Sequence, residues 1–244
     1  MKKGDVIEFD YDLHVQGQDA LYDTTQRDHA EAEGVLEPGA YYTPMRYVLG
    51  AGRMIRGLEE ALEKAEVGKE FVAELEPKDA YGERDPSRIE TVAIKEFRKS
   101  DVEPKPGVVI NWAGRRGTIR TVGGGRVRVD FNPPLAGKRL TYKITVRKVF
   151  SQPEDRIRGL ILMNYPSSEG PSVSLEDGGK TAVVEMPEST KYDPNWTRAK
   201  FSCLASIREH TDVVAVRFVE VHALEHAPAE PEAGETTATE PTSQ

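Results

Sequence analysis

Residues 47–71, YVLGAGRMIRGLEEALEKAEVGKEF, constrain the fold more than any other stretch of the chain. They read as a turn, one short amphipathic helix, and a second turn that delivers the chain into a strand. Gly50 and Gly52 provide the permissive backbone of a tight entry, and Ile55, Leu58 and Leu62 recur at spacings of three and four. Arg53, Arg56, Glu59, Glu60, Glu63 and Lys64 fall largely on the opposite side. A helix this short with a single apolar stripe needs a surface to lie on. The neighbouring sequence offers strands.

Residues 5–16 alternate Val6, Ile7, Phe9, Tyr11, Leu13 and Val15 with polar side chains, the period of a half-buried strand, and Gly17-Gln18-Asp19 turns the chain back towards Leu21-Tyr22-Asp23. Residues 24–46 carry two glycines and two prolines without a clear period, which predicts a long loop with one helical turn near His29 to Glu33. After the helix, residues 69–75 read as a strand and residues 76–82 as a turn carrying Pro77 and Tyr81. The composition then shifts. Residues 84–132 hold 11 Lys or Arg against 6 Asp or Glu, within a chain whose formal net charge is −8. Short strand patterns at 89–92, 108–112, 115–121 and 126–131, with Gly123-Gly124-Gly125 as a hairpin turn, predict a small β-rich module inserted into a parent domain. The alternation at 140–149 returns the chain to the first sheet.

Beyond a linker at 151–153, residues 154–164 and 195–209 read as helices, the second with Trp196, Phe201, Leu204 and Ile207 on its apolar side, and 172–174, 181–185 and 213–221 as strands. That predicts a separate α+β domain. The final residues, 227–244, are Ala, Pro, Glu, Gly, Thr and Ser with one Gln, a composition that cannot offset ordering entropy and predicts a disordered tail. A single cysteine, Cys203, excludes an internal disulfide and a Cys-rich metal site, and its place on the apolar helix predicts burial. With no signal-length apolar run at MKKGDVIEFDYDL and no membrane-length segment, we expect a cytoplasmic protein without a membrane partner. The acidic balance argues against general attraction to nucleic acid.

With Tyr22-Asp23, Ala80-Tyr81-Gly82 and NPPLAGKRLTY at 132–142 added to the 47–71 stretch, residues 1–150 resemble the FKBP family of peptidyl-prolyl isomerases, and in element order its SlyD-like, long archaeal branch. Each motif alone is weak. Four in the family's order are specific. The resemblance implies an α+β fold with an FKBP-like antiparallel sheet and one short helix (1–83 and 133–151), an inserted β-rich chaperone domain (84–132), a C-terminal α+β domain (154–225) and a tail (226–244). It implies prolyl isomerisation without cofactor or metal, on unfolded or proline-containing polypeptide clients. The residues matching the family's pocket are Tyr11, Tyr22, Asp23, Met54, Ile55, Leu58, Tyr81, Leu135 and Tyr142. In that match the Ile55 backbone N–H meets a substrate carbonyl, Leu58 forms the floor, Tyr81 donates a hydroxyl, Tyr142 is an aromatic wall, and Asp23 orients Tyr11 or a nearby donor. Leu58 stands where many members have tryptophan, and Pro133 where the family has histidine, so no role for that histidine transfers. Taken without the resemblance, the same side chains also fit core aromatics and one capping aspartate.

In SlyD-like relatives the insert captures clients, which implies that role for Val92, Ile94, Phe97, Val109, Ile110 and Trp112, although several must build the insert's own core. A homodimer through the 195–209 helix or the 213–221 strand is the corresponding expectation for the C-terminal domain. Two other readings stay open: a holdase whose pocket has lost useful turnover, and RNA binding by the basic hairpins. His222 and His226 lack a nearby third ligand, no His-rich tail supports nickel binding, Gly123 to Gly125 lacks the Lys-Ser/Thr of a phosphate loop, and no local grouping suggests a hydrolase triad.

Overall fold

The computed structural model describes residues 1–97, 103–167 and 169–222; the expected tail and His226 lie outside the described residues. Its organising strand is β1, Val6–Val15. The odd-numbered side chains Ile7, Phe9, Leu13 and Val15 are buried in the first core, as the alternation requires, while Val6 on the other face is equally buried against a different partner.

One edge of β1 pairs antiparallel along almost its whole length with β9, Leu140–Val149, from Ile7 opposite Val149 to Val15 opposite Leu140. The other edge changes partner midway. β3, Met45–Val48, pairs with residues 6–9, and β2, Leu21–Thr24, pairs with residues 12–14. At the change, Thr25 stands in for a strand: Tyr11 N donates to Thr25 Oγ1 at 3.1 Å, and Thr25 N donates to the Tyr11 carbonyl at 3.1 Å. The long segment predicted at 24–46 is thrown out here, with α1, Arg27–Ala32, supplying its helical turn. Within it β3 was not foreseen, because MRYV is too short and too mixed to show a period of two.

β4, Glu70–Leu75, completes the sheet on the far side of β9, in the order β2-β1-β9-β4 with β3 also on β1. The central helix α2, Arg56–Lys64, packs Leu58, Ala61 and Leu62 on this sheet. Gly57 lies inside that helix, where glycine costs about 1 kcal/mol relative to alanine, but a Cβ there would come within 2.7 Å of Leu75 Cδ2 and 2.9 Å of the Asp79 carbonyl oxygen. The helix therefore sits against the backbone of the turn that carries Tyr81.

Residues between β4 and β9 form the insert, a four-stranded antiparallel sheet in the order β5-β8-β7-β6, from β5 (Ile89–Ala93), β6 (Val109–Trp112), β7 (Arg115–Gly123) and β8 (Arg126–Asp130), with the four-residue α3, Ile94–Phe97, after β5. The β7–β8 turn uses Gly124 and Gly125 at φ of 57° and 74°. That is the hairpin role expected of the glycine run. Phe97, Ile110, Ile119, Val127, Val129 and Phe131 make the insert's core. The buried Asp130 accepts from Arg84, Arg120 and Asn132, tying the insert to its root.

The C-terminal region is α+β, as expected: α4 (Pro153–Asn164), β10 (Ser172–Glu176), β11 (Thr181–Glu185), α5 (Pro194–His210) and β12 (Ala215–Val219), with β12 parallel to β11. It does not stand apart. Val6, Val48 and Phe150 of the first sheet share one core with Ile157, Leu160 and Ile161 of α4 and with Trp196, Cys203 and Ile207 of α5. The face expected of α5 needs correcting, because Phe201 and Leu204 are exposed while Trp196, Cys203 and Ile207 are buried. The sheet side of this helix follows residues 196, 203 and 207, and 201 falls nearly opposite. Among the described residues no helix is long and apolar enough to cross a membrane.

Gly57→Ala, a change that stabilises an ordinary exposed helix, is expected here to destabilise the protein by about 1–3 kcal/mol through overpacking, read as a lower midpoint of denaturant unfolding.

Candidate active site

The candidate pocket is assembled from three strands of the first sheet and from three segments that lie outside it, the start of α2, the Tyr81 turn and the return segment. Tyr11 comes from the middle of β1 and Tyr142 from β9, where Leu13 is its partner across the ladder, so the two tyrosines are diagonal neighbours on one face. Their ring centroids are 5.6 Å apart and tilted at 60°. Tyr22 and Asp23 follow on β2, and Leu13 is also the residue opposite Asp23. The Tyr11 hydroxyl donates to Asp23 Oδ2 at 2.7 Å, and Thr24 N donates to Asp23 Oδ1 at 2.9 Å. Both oxygens of Asp23 are thus engaged in holding the aromatic wall.

Met54 and Ile55 introduce α2 and pack on the edge of the first core, and Leu58, one turn in, is 4% exposed. Ile55 occupies the N-cap in extended conformation (φ −61°, ψ 137°) with no side-chain cap. The first intrahelical bond runs from Leu58 N to the Ile55 carbonyl, so the preceding amides have no capping acceptor. The turn feeding this helix is pinned by a pair that sequence patterning missed. Tyr47 Oη donates to Glu59 Oε1 at 2.8 Å and accepts from Arg53 N at 3.1 Å, while Gly50 N donates to the same Glu59 oxygen at 2.8 Å. Glu59 looked like one more charge on a solvated face. Its position in the first turn, where an acid complements the helix N-terminus, was the available signal.

Tyr81 follows the short turn Pro77–Asp79, closed by Gly82 N donating to the Pro77 carbonyl at 2.7 Å, and is 41% exposed. Leu135 lies in the return segment, which is joined to the Tyr81 turn by Gly137 N donating to the Gly82 carbonyl at 2.8 Å. Leu135 is buried. Burial is the largest influence on both wall phenols and pushes their pKa values well above the ordinary tyrosine range. For Tyr11 the Asp23 hydrogen bond adds to it, and for Tyr142 the nearby Tyr81, which is also its hydrogen-bond partner. Tyr11, Tyr22, Asp23, Tyr81 and Tyr142 are therefore within one electrostatic neighbourhood, and Met54, Ile55, Leu58 and Leu135 belong to the core on which it rests.

The arrangement offers aromatic faces, hydroxyl donors and an apolar floor. Its one carboxylate is occupied. Among the described residues no three His, Cys, Asp or Glu side chains are grouped to hold a metal ion. Cys203 is far from this chemistry in the second core, and burial pushes its thiol up to about 12, which keeps it an unreactive packing group.

The client-binding set expected on the insert divides. Phe97 and Ile110 are 2% and 4% exposed and belong to its core, so their assignment to an open surface is corrected: one side of so small a sheet must be filled by its own apolar residues. Val109 is half exposed, and Val92, Ile94 and Trp112 are partly covered, with the Trp112 ring stacked on Phe97 at 4.7 Å.

Comparison with known proteins agrees with this architecture region by region. Residues 1–98 match the family described as FKBP-type peptidyl-prolyl cis-trans isomerase, residues 90–135 that of the FKBP26 IF domain, and residues 153–223 that of the FKBP26 C-terminal region. The chain is 36% identical over 149 residues to the short-type peptidyl-prolyl cis-trans isomerase of Methanocaldococcus jannaschii, covering 61% of this chain and 94% of that protein. It is 35% identical over 148 residues to the FKBP-type isomerase SlyD of Treponema pallidum, covering 59% of this chain and 78% of the relative, and 29% identical over 139 residues to SlyD of Helicobacter pylori, covering 56% and 75%. The chain belongs to the FKBP-type peptidyl-prolyl cis-trans isomerases.

Proposed function

We propose that this protein accelerates cis-trans rotation about X-Pro bonds in unfolded or partly folded polypeptides, using the pocket between Tyr11, Tyr142, Tyr81 and Leu58. The carrying observation is the tilted pair of wall tyrosines, Tyr142 buried and Tyr11 half-buried with its hydroxyl held by Asp23, with no free acid, base or nucleophile among the described residues between them. Prolyl rotation requires none of those. Its barrier of about 18–20 kcal/mol comes from amide resonance, and it is lowered by a site that favours the twisted amide over both planar forms. The proline ring packs against the wall that Tyr11 and Tyr142 form together, above Leu58. Removing water there disfavours the polar, resonance-stabilised planar amide. The Ile55 amide, placed before the first helical hydrogen bond, receives the carbonyl preceding the proline, and the Tyr81 hydroxyl is the mobile donor at the rim.

The insert supplies capture. Val109 is exposed on the edge strand β6, and Val92, Ile94 and Trp112 are partly covered around the core of this basic module, apolar surface suited to extended apolar or acidic segments of clients. Capture independent of the pocket is what a holdase lacking useful turnover would retain, so the two activities need separate assays. The C-terminal domain provides self-association: Phe201, Leu204 and Val214 are exposed together beside β12, the edge strand of its sheet. A cytoplasmic setting fits the single buried thiol Cys203.

Sub-stoichiometric protein is expected to accelerate the slow phase of a proline-limited refolding reaction, with Tyr81→Ala/Tyr142→Ala slowing that acceleration at least tenfold while aggregation suppression persists. If neither protein accelerates refolding and both suppress aggregation, the chain is a binding chaperone on an isomerase fold.

The phenols give a pH signature. Their folded pKa values lie above the unfolded value of about 10, so above that pH the unfolded chain releases protons that the folded chain keeps. Stability from burying neutral Tyr11 and Tyr142 is full below pH 10 and falls as pH rises beyond it. Denaturant midpoints are expected to drop between about pH 9.5 and 11.5, and to drop less in Tyr11→Phe/Tyr142→Phe.

Light scattering across a range of concentrations is expected to give a dimer mass that Phe201→Asp/Val214→Asp converts to a monomer. A concentration-independent monomer for the parent chain removes the self-association role.

A further inference from the structure

A cleft of about 810 Å³ lies directly beside the prolyl pocket. Tyr11, Tyr22 and Asp23 line it on one side. Residues 40–46 of the long loop form its rim, and Leu162, Met163 and Pro166, at the end of α4 and just beyond, close it on the C-terminal side. The cleft thus shares three residues with the candidate active site and borrows a wall from a domain that FKBP chemistry alone does not require.

We propose that this cleft is a second client subsite, which takes an apolar or aromatic side chain a few residues from the isomerised proline; the inference rests on the isomerase reading and extends it. Continuity is the first argument, since an extended chain leaving the pocket over Tyr22 and Asp23 enters the cleft without crossing a barrier. The second is the exposure of its rim. Tyr41 is 80% exposed, Tyr22 44% and Met45 39%, three large side chains left uncovered around one concavity. The volume falls within the range of small-ligand sites, about 300–1,000 Å³, and accommodates a bulky side chain with its neighbours.

Its chemistry selects the occupant. Arg46 is committed to Glu8 at 2.8 Å, and both Asp23 oxygens accept hydrogen bonds from Tyr11 and Thr24. The Tyr11 backbone is already paired with Thr25, so a client strand cannot add to β1 at this point. The apolar part of the lining, Tyr, Met, Leu and Pro, is what buries a side chain, while Glu37, Thr43 and the tyrosine hydroxyls leave polar groups at its border. The opposing wall is held in place because α4 shares its core with Val6, Val48 and Phe150 of the first sheet. A Cβ on Gly159 of α4 would meet the Phe150 ring at 2.9 Å and Val6 Cγ1 at 3.0 Å, so the contact is made at the closest approach a helix allows. Met163 gives this wall an adaptable surface.

The test compares kcat/KM of the full chain on a proline tetrapeptide with values on extended peptides carrying phenylalanine, or serine, at successive positions on either side of the same proline. The expected result is a gain of about tenfold for phenylalanine at one or two positions, lost in Tyr41→Ala and in Met163→Gln while their tetrapeptide turnover is unchanged. Tyr41 is so exposed that its truncation leaves the fold intact. Equal rates for the phenylalanine and serine series, or a gain that survives both substitutions, overturn the subsite and leave the isomerase standing. Failure to turn over even the tetrapeptide overturns the isomerase reading, and the subsite with it.

Discussion

The antiparallel ladder between β1 and β9 is the constraint on which the rest depends. It sets Tyr11 and Tyr142 as diagonal neighbours and places Leu13 between Tyr142 on one side and Asp23 on the other. A slip of one residue would turn every one of those side chains to the opposite face. The register is protected by the buried odd-numbered row of β1 and by the matching row of β9, Leu140, Tyr142, Ile144 and Val146. The geometry of the candidate site is thus a by-product of the same apolar burial that stabilises the sheet. Little of its precision has to come from the pocket residues.

Around that ladder the chain separates functions by face and by edge. The odd face of β1 serves the pocket and the core beneath it. The start of its even face, through Val6, meets the C-terminal domain, and farther along the same face Asp10 and Asp12 form a polar network with Thr25, Thr24, His29 and Arg147. The network anchors α1 and the root of the long loop to the strand. The insert leaves from the opposite end of the sheet, and polar contacts close its two ends on each other: Asn132 pairs with both the amide and the carbonyl of Asp85, and Asp130 collects Arg84 and Arg120. Where the C-terminal domain is held by packed side chains, the neck of the insert is closed by hydrogen bonds.

The strands of the first sheet and of the insert were legible because alternation and glycine turns act locally, and the candidate pocket residues were named from four short motifs that stand in a family's order. What was not legible came from contacts between distant segments. β3 became a strand by pairing with β1, not by its own period. The turn into α2 depends on Glu59 and Tyr47, whose partnership is invisible until the turn folds. The burial of Phe97 and Ile110, and the exposure of Phe201, depended on which side of each element met a neighbour, and periodicity alone left the choice between faces open. The cleft against α4 had no sequence signature, since one wall lies more than a hundred residues from the other.

The pairing of β1 with β9 has a consequence during synthesis. Leu140 is the first β9 residue to meet β1, opposite Val15, so about 125 residues of chain must emerge before the ladder begins to close. At about 5–20 residues per second, the apolar row of β1 waits on the order of 10 s on the ribosome without its principal partner. The insert, whose strands pair among themselves, is complete before that partner arrives. A prolyl isomerase is thus itself a late closer, exposed while it folds to the hazards of a slow-folding chain.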